Sequence, residues 1–397
     1  MKIFSFAEGA NPRAGGMGLV GIPWICKSLA DQGHHVILNL GGHATPGSEQ
    51  FVCSNPAKAL SEKSSFACFD TITYPAYGRW AFAPSMLRSL YRPVQDVDFI
   101  MLHSLYSFPV VAGYILSRWH KKPYGFWPHG VLAPVQRGVS SGKKAVYDQI
   151  LARRIMREAS VILYSSAQER DETCLPGSSS RSVVIPHGID LVEYSRLPDR
   201  GSFRQKYLDG DESPLVLYLG RLNAKKGLDL LAQAMSQVVE IIPNTRLAIV
   251  GTGDPPAFIN QVKGWLAENG ISRSTVVTGL LDHAEKLSAF ADSDVFVLPS
   301  HAENFGFAMF EAMSSRVPVV ISDTLDYAAE VEQFEAGLAV PRESQAFASA
   351  IVKLLKDGDE RARMGNNGAR LCQSYSWHNC GEKLERTVND ILRAYPY

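Results

Sequence analysis

Several absences in the sequence narrow its function. No apolar run approaches the ~18–20 residues a membrane span requires. The richest stretches, Phe99–Leu102 and Pro109–Leu116, are far too short. A secretory leader is not expected, because Glu8 and Arg13 interrupt the start before an apolar core can build. The six cysteines, Cys26, Cys53, Cys68, Cys174, Cys372 and Cys380, include no CxxC pair. They read as reduced thiols in a cytoplasmic protein. Neither charge is in excess, with 40 Lys+Arg against 40 Asp+Glu. No net field therefore draws the whole chain to nucleic acid. Neither GxxxxGK[ST] nor GxGxxG occurs, which weakens P-loop and nicotinamide readings. Internal repeats and low-complexity tracts are missing as well.

What remains is an ordinary globular composition, 46% apolar and 20% charged over 397 residues. At ~150 residues per domain, that length implies two or three domains. The neutral total hides an asymmetry. Residues 1–190 carry 19 Lys+Arg and 13 Asp+Glu, whereas the remainder carries 21 and 27.

Short β-rich apolar runs recur along the chain. In the first half they are 2–6, 36–39, 99–103, 124–127, 161–165 and 183–185. In the second half they are 215–219, 246–250, 276–278, 295–298, 319–321 and 338–340. Most are continuous rather than alternating, as parallel strands covered on both faces require. Amphipathic stretches lie between them at 19–32, 228–242, 256–269, 283–291, 307–315 and 344–356. Strand and helix in alternation predict βαβ units and doubly wound sheets. Residues 186–214, richer in Pro, Gly and Asp, read as a linker between two such α/β domains. Such domains bind ligands at the carboxyl ends of their strands.

Four segments carry candidate chemistry. Glu303-Asn304-Phe305-Gly306-Phe307 through Glu311 follows the 295–298 strand and opens a helix. Amides at a helix start suit an anion or polar ligand. Glu303 can accept bonds from sugar hydroxyls, and Glu311, a turn or so into the helix, from a ribose diol. Alone, the pair is more often an acidic loop and a solvated helix glutamate. Gly220-Arg221-Leu222-Asn223-Ala224-Lys225-Lys226-Gly227 follows the 215–219 strand and could clamp an oxyanion. The bland alternative is a basic surface turn. Ala14-Gly15-Gly16-Met17-Gly18 lies between the first strand and first helix, where glycines let backbone approach a phosphate. His129, in Trp127-Pro128-His129-Gly130 at a strand end, is either a ligand group or a histidine bonded to backbone in a tight turn.

Together these segments resemble the retaining GT-B glycosyltransferases of the GT4 family, also called glycosyl transferases group 1. The resemblance covers the whole chain. It rests on the N-terminal glycine loop, Pro186-His187-Gly188-Ile189-Asp190, Leu217 to Arg221, Lys226-Gly227, Val250-Gly251-Thr252-Gly253, and Pro299 to Met313. The last of these carries the family's E-x7-E spacing. The resemblance implies an α/β GT-B fold, two Rossmann-like domains facing a central cleft. Residues 1–188 would bind acceptor and 189–376 the nucleotide sugar, with a helix over 377–397 crossing back to the first domain. It implies that Arg221 and Lys226 grip the donor diphosphate and that Gly15 and Gly16 meet it from the first domain. Glu303 would bind the sugar, and the amides of Asn304, Phe305 and Gly306 would surround sugar and phosphate. Glu311 would bind ribose, with His129 near the C6 hydroxyl. Gly251, Gly253, Gly279, Leu280 and Leu281 would line the base. His187 replaces the family's usual Asn and reads as a structural variation at the hinge.

The implied reaction moves a hexose from a nucleoside diphosphate, UDP-hexose favoured, to a saccharide or lipid-linked saccharide hydroxyl, with retention. The catalytic set is His129, Glu303, Arg221 and Lys226. No metal and no cofactor is expected, because protein cations can meet the leaving charge and no DxD pair lies in these motifs. A GDP-sugar donor, a weak sugar-nucleotide-binding protein, and a phosphorylase or epimerase of the same fold are the alternatives. No segment suggests the pyridoxal lysine that a phosphorylase needs. Arg79, Arg88 and Arg92 interleave with Tyr77, Trp80, Phe82 and Tyr91, and six further cations lie between Arg137 and Arg157. That pattern fits either solvated arginines over a buried aromatic core or peripheral contact with an anionic membrane at its inner face.

Overall fold

The computed structural model describes residues 1–8, 21–43, 69–78, 80–132, 146–173 and 181–394. The chain divides into two compact units. The first comprises Met1–Gly188 with Trp377–Tyr397, and the second Ile189–Ser376.

The first unit is built on a seven-stranded sheet. Its strands are β1 (Lys2–Glu8), β2 (His35–His43), β3 (Asp70–Ala76), β4 (Phe99–His103), β5 (Tyr124–Trp127), β6 (Val161–Tyr164) and β7 (Ser182–Val184). The order is β3-β2-β1-β4-β5-β6-β7, and every strand pair is parallel. The second unit has six strands, again all parallel: β8 (Leu215–Leu219), β9 (Arg246–Val250), β10 (Thr275–Gly279), β11 (Val295–Leu298), β12 (Val319–Ser322) and β13 (Gly337–Val340). Their order is β10-β9-β8-β11-β12-β13. In each sheet the order reverses once, between β1 and β4 and between β8 and β11. Such a reversal opens a crevice at the carboxyl ends of the two flanking strands.

The central strands β4, β5, β6, β11 and β12 are buried at every residue, which explains their unbroken apolar runs. β3 escaped the sequence reading because it is an edge strand with alternating burial and a proline, so it shows no continuous apolar run. The Phe108–His120 helix also went unread. Nine of its thirteen residues are buried, so it lacks a polar face.

Residues 189–214 are not a free linker. Asp190 caps a short helix, Leu191–Ser195, through its side chain, and Ser202–Tyr207 forms another. Tyr194, Phe203 and Leu208 are buried in the core of the second unit. Arg204 is 1% exposed and donates to the carbonyls of Asp211, Ser213 and Asp292. Its many donors stitch the segment to the chain entering the central strands β8 and β11, so its Pro, Gly and Asp content marks turns rather than mobility.

The helix Trp377–Ala394 belongs to the first unit. Trp377 stacks on Trp24, with ring centroids 5.9 Å apart, and Gly381 packs against Ser28. Among the described residues no helix is long and apolar enough to cross a membrane.

Candidate active site

In the second unit the two flanking strands deliver the two strongest motifs. β8 runs into Gly220–Gly227, and β11 into Pro299–Gly306. Gly227 lets these loops touch. It sits at φ +66°, and a Cβ there would fall 2.2 Å from the Pro299 carbonyl. The His301 N–H also donates to the Lys225 carbonyl at 2.8 Å. Held this way, Lys226 Nζ donates to Glu303 Oε1, and the Ser300 hydroxyl donates to the same oxygen at 2.7 Å. The pair is largely buried, with side chains 11% and 14% exposed.

Burial pushes the Glu303 carboxyl up. The Lys226 charge and hydrogen bond, the Ser300 hydroxyl and Lys225 outweigh it, and the carboxyl is held below its ordinary range. Burial and repulsion from Lys226 push the Lys225 ammonium down. Beneath them Tyr218 is fully buried and donates to the Arg221 carbonyl at 3.2 Å. Arg221 itself points elsewhere. Its guanidinium pairs with Asp254 at 3.0 Å, and both side chains are about half exposed.

The helix Phe307–Ser314 starts from Gly306. The Phe305 ring does not face a ligand. It is buried, stacks on Phe310 at 4.2 Å and meets Tyr327 and Tyr375, so it anchors the loop and leaves only its backbone to act. Asn304 beside it is half-buried. Glu311 is buried rather than solvated and accepts from Lys286 Nζ at 3.1 Å. Lys286 also donates to the Tyr194 hydroxyl at 2.5 Å. Sequence reasoning missed Lys286, since one lysine on an amphipathic helix carries no signal.

The glycines after β9 have a packing cause of their own. Gly251 has φ +142°, and a Cβ would lie 1.9 Å from the Gly220 carbonyl. Gly253 is crowded by the Pro256 carbonyl, at 2.6 Å from an added Cβ. The loops after β8, β9 and β10 are laced by Leu222 N–H to Thr252 O and Gly251 N–H to Gly279 O. Leu280 then stands 73% exposed at the edge, with Leu281 half-buried beside it.

In the first unit, His129 follows β5 at φ +53°, a strained backbone for a non-glycine residue. Glu169 holds this turn by accepting from the Gly130 N–H at 2.5 Å and the Ser165 N–H at 2.7 Å. His129 is 8% exposed and stacks on Trp127 and His103. Its Nδ1 has no hydrogen-bond partner among the described residues. His187, next to the boundary between the units, has a packing role. It is buried in this cluster, 5.2 Å from the Trp127 ring and 5.3 Å from His129, with its Nε2 2.8 Å from the Ser165 hydroxyl. Gly15 and Gly16 lie outside the described residues.

On the same unit, Tyr77, Trp80, Phe82 and Tyr91 are all exposed, at 66%, 38%, 43% and 48%. The reading of a buried aromatic core does not hold for them. Tyr91 meets Trp119, 59% exposed, edge to face at 5.8 Å. Arg118, next to Trp119, pairs with Glu158, beside which Arg154 and Arg157 also lie. Arg79, Arg137, Lys143 and Lys144 lie outside the described residues.

Residues 199–371 match the family model described as glycosyl transferases group 1, and residues 25–193 the model described as glycosyltransferase family 4. The chain is 28% identical over 332 residues to a phosphatidyl-myo-inositol mannosyltransferase of Mycobacterium leprae, across 80% of each chain. It is 26% identical over 311 residues to a D-inositol 3-phosphate glycosyltransferase of Corynebacterium aurimucosum, across 75% of this chain and 73% of that one. Among solved structures, Anabaena HepE in complex with UDP-glucose superposes with TM-score 0.78 at 21% identity, covering 98% of this chain and 100% of that one. A sucrose-phosphate synthase of Thermosynechococcus elongatus gives 0.76 at 24%, covering 99% and 100%. At these identities the solved structures establish the shared fold.

Proposed function

The chain belongs to the GT4-type family of GT-B glycosyltransferases, and from that premise we propose that it moves a hexose from a nucleoside-diphosphate sugar, UDP-hexose favoured, to a hydroxyl of a saccharide or lipid-linked saccharide, with retention and without a metal. The observation that carries this reading is the buried Lys226–Glu303 pair at the carboxyl ends of β8 and β11. A lysine and a glutamate held there suit the two halves of a sugar diphosphate, anion and hydroxyls.

In this reading Lys226, with Arg221 once released from Asp254, takes the diphosphate oxygens. Glu303 accepts from sugar hydroxyls, and Glu311 from the ribose. The amides around Asn304, Phe305 and Gly306 complete the clamp, Leu280 and Leu281 meet the base, and His129 serves the C6 hydroxyl. The bond between the anomeric carbon and the β-phosphate oxygen breaks with both electrons passing to the phosphate. The acceptor hydroxyl forms the new bond on the same face, and its proton passes to the departing phosphate oxygen. Lysine and arginine charge lowers the barrier because negative charge grows there in the transition state.

The UDP-glucose complex of HepE supports a uridine donor. The mannosyltransferase among the relatives favours a mannosyl donor, with a GDP-sugar as the second reading. That relative's named substrate, a phosphatidylinositol, supports a membrane-associated acceptor. The exposed Tyr91 and Trp119, flanked by Arg88, Arg92, Arg118 and Lys121, suit peripheral contact with an anionic bilayer. Incubation with UDP- and GDP-sugars, assayed for free nucleotide, tests the activity. The donor is the nucleotide sugar that also raises the melting temperature; one at 100 times its dissociation constant adds about 2.7 kcal/mol. Release from none of them would overturn the reading.

A further inference from the structure

Ser5, His103 and His129 form an unbroken hydrogen-bonded row of three side chains in the first unit. The Ser5 hydroxyl on β1 lies 2.7 Å from His103 Nε2, at the end of β4. His103 Nδ1 lies 2.9 Å from His129 Nε2. Ser5 and His103 are fully buried, and the row ends at the orphan His129 Nδ1. At the other end the Ser5 hydroxyl bonds to the buried thiol of Cys26.

We propose that Ser5 and His103 fix His129 in the tautomer that carries its proton on Nδ1, so that this ring offers a hydrogen-bond donor to an oxygen of the bound sugar. They act as positioning residues. The sugar-facing part rests on the reading of His129 given above, whereas the tautomer does not.

A neutral imidazole carries one N–H, so the row must run in one direction throughout. Burial pushes the His103 imidazolium down to about 3, and burial with the neighbouring histidines pushes His129 well below its ordinary value, so both rings are neutral near pH 7. If Ser5 donates to His103 Nε2, His103 must carry its proton on Nδ1 and donate to His129 Nε2. His129 then holds its own proton on Nδ1. Among the described residues, the reverse direction leaves the Ser5 hydroxyl only the Cys26 sulfur, a weak acceptor, to donate to.

Long-range proton–nitrogen NMR of histidine-labelled, ligand-free protein reads the tautomer directly, with the His129 signals assigned by their loss in His129→Asn. Protonated Nδ1 at His129 is expected; protonated Nε2 overturns the proposal. Ser5→Ala should release the row and give a mixture of His129 tautomers, whereas Ser5→Thr keeps the hydroxyl and the parent pattern. An unchanged tautomer in Ser5→Ala removes Ser5 from the role. If Ser5→Ala does not fold, the parent spectrum still decides. For the sugar-facing part, Ser5→Ala should lower kcat/KM about fivefold with UDP-glucose and leave UDP-6-deoxyglucose unchanged. Equal losses on both donors overturn that part. Absence of turnover with either donor in the parent overturns the donor reading, while the spectrum still judges the tautomer.

Discussion

Lys286 and Glu311 form a 3.1 Å ion pair between the His283–Asp292 and Phe307–Ser314 helices. Both side chains are mostly covered, at 24% and 12% exposure. Removing one partner strands a charge that water reaches poorly. Lys286→Met should therefore cost about 1–3 kcal/mol by urea unfolding. The double change with Glu311→Gln should restore part of that loss. Strict additivity of the two single effects would show that the pair is not coupled.

Glu193 gives the same cluster a pH signature. Burial pushes its carboxyl up to about 7, with Asp190 and Glu311 adding repulsion and Lys286 opposing them. His283 Nε2 is 2.6 Å away, and burial pushes that imidazolium down, so a protonated Glu193 donating to neutral His283 fits both shifts. The folded pKa is raised, so the stabilising contribution is complete below the unfolded value near 4.3 and is lost as pH rises through about 7. Glu193→Gln should thus gain on the parent by up to about 3 kcal/mol between pH 4.5 and 8. Parallel stability curves would contradict this.

The two cations proposed to take the diphosphate should not weigh equally. Lys226→Ala should weaken nucleoside-diphosphate binding by about 1.5–3 kcal/mol, the range for bonds to charged groups. Arg221→Ala should cost less, because this half-exposed side chain must first leave Asp254. Glu303→Ala should cut turnover more than tenfold while the fold survives. Calorimetry and a nucleotide-release assay read both, and unchanged values in all three variants would dismantle the site.

In the proposed reading Lys226 and Arg221 supply the positive charge at the leaving group, so turnover should persist in EDTA. Complete loss, restored by Mg²⁺ or Mn²⁺, would place a metal in the mechanism.

Anionic vesicles offer the test of the exposed aromatic surface. The protein should float with them at low salt and release at high salt, and Trp119→Ser should weaken flotation. Absence of binding at any salt would shift the acceptor to a soluble saccharide.

The fold was legible where burial is symmetric. β4, β5, β8, β9 and β11 match their sequence-derived bounds residue for residue, because covered parallel strands leave continuous apolar runs. The edge strand β3 leaves no such run, and the buried Phe108–His120 helix leaves one without the polar face that would mark it as a helix. Glu303, Lys226 and Glu311 could be found because each follows a strand or opens a helix in a recognisable motif. The partners that act on them could not. Lys286 and Tyr194 reach the site through tertiary packing, and nothing local marks them, whereas Ser300 lies three residues before Glu303 in the same motif. His103 was within reach, since it ends a strand as His129 does, yet only the structure joins their nitrogens. His187 sits beside the crossing between units as its motif implies, but the packing of its ring on Trp127 was not legible in sequence.

The placement of Trp377–Ala394 in the first unit has a consequence for biosynthesis. The second unit is an insertion within the first, and its entry and exit lie side by side, the Ile189 N–H bonding the Tyr375 carbonyl at 2.7 Å. A ribosome adding 5–20 residues per second needs roughly 10–40 s to make that insertion. During this interval Trp24 and the Gly21–Ala30 helix stay uncovered, because the helix that seals them is made only after the insertion. The nascent first half therefore presents an apolar seam to chaperones until that helix emerges, and a chain truncated before Trp377 would display it permanently.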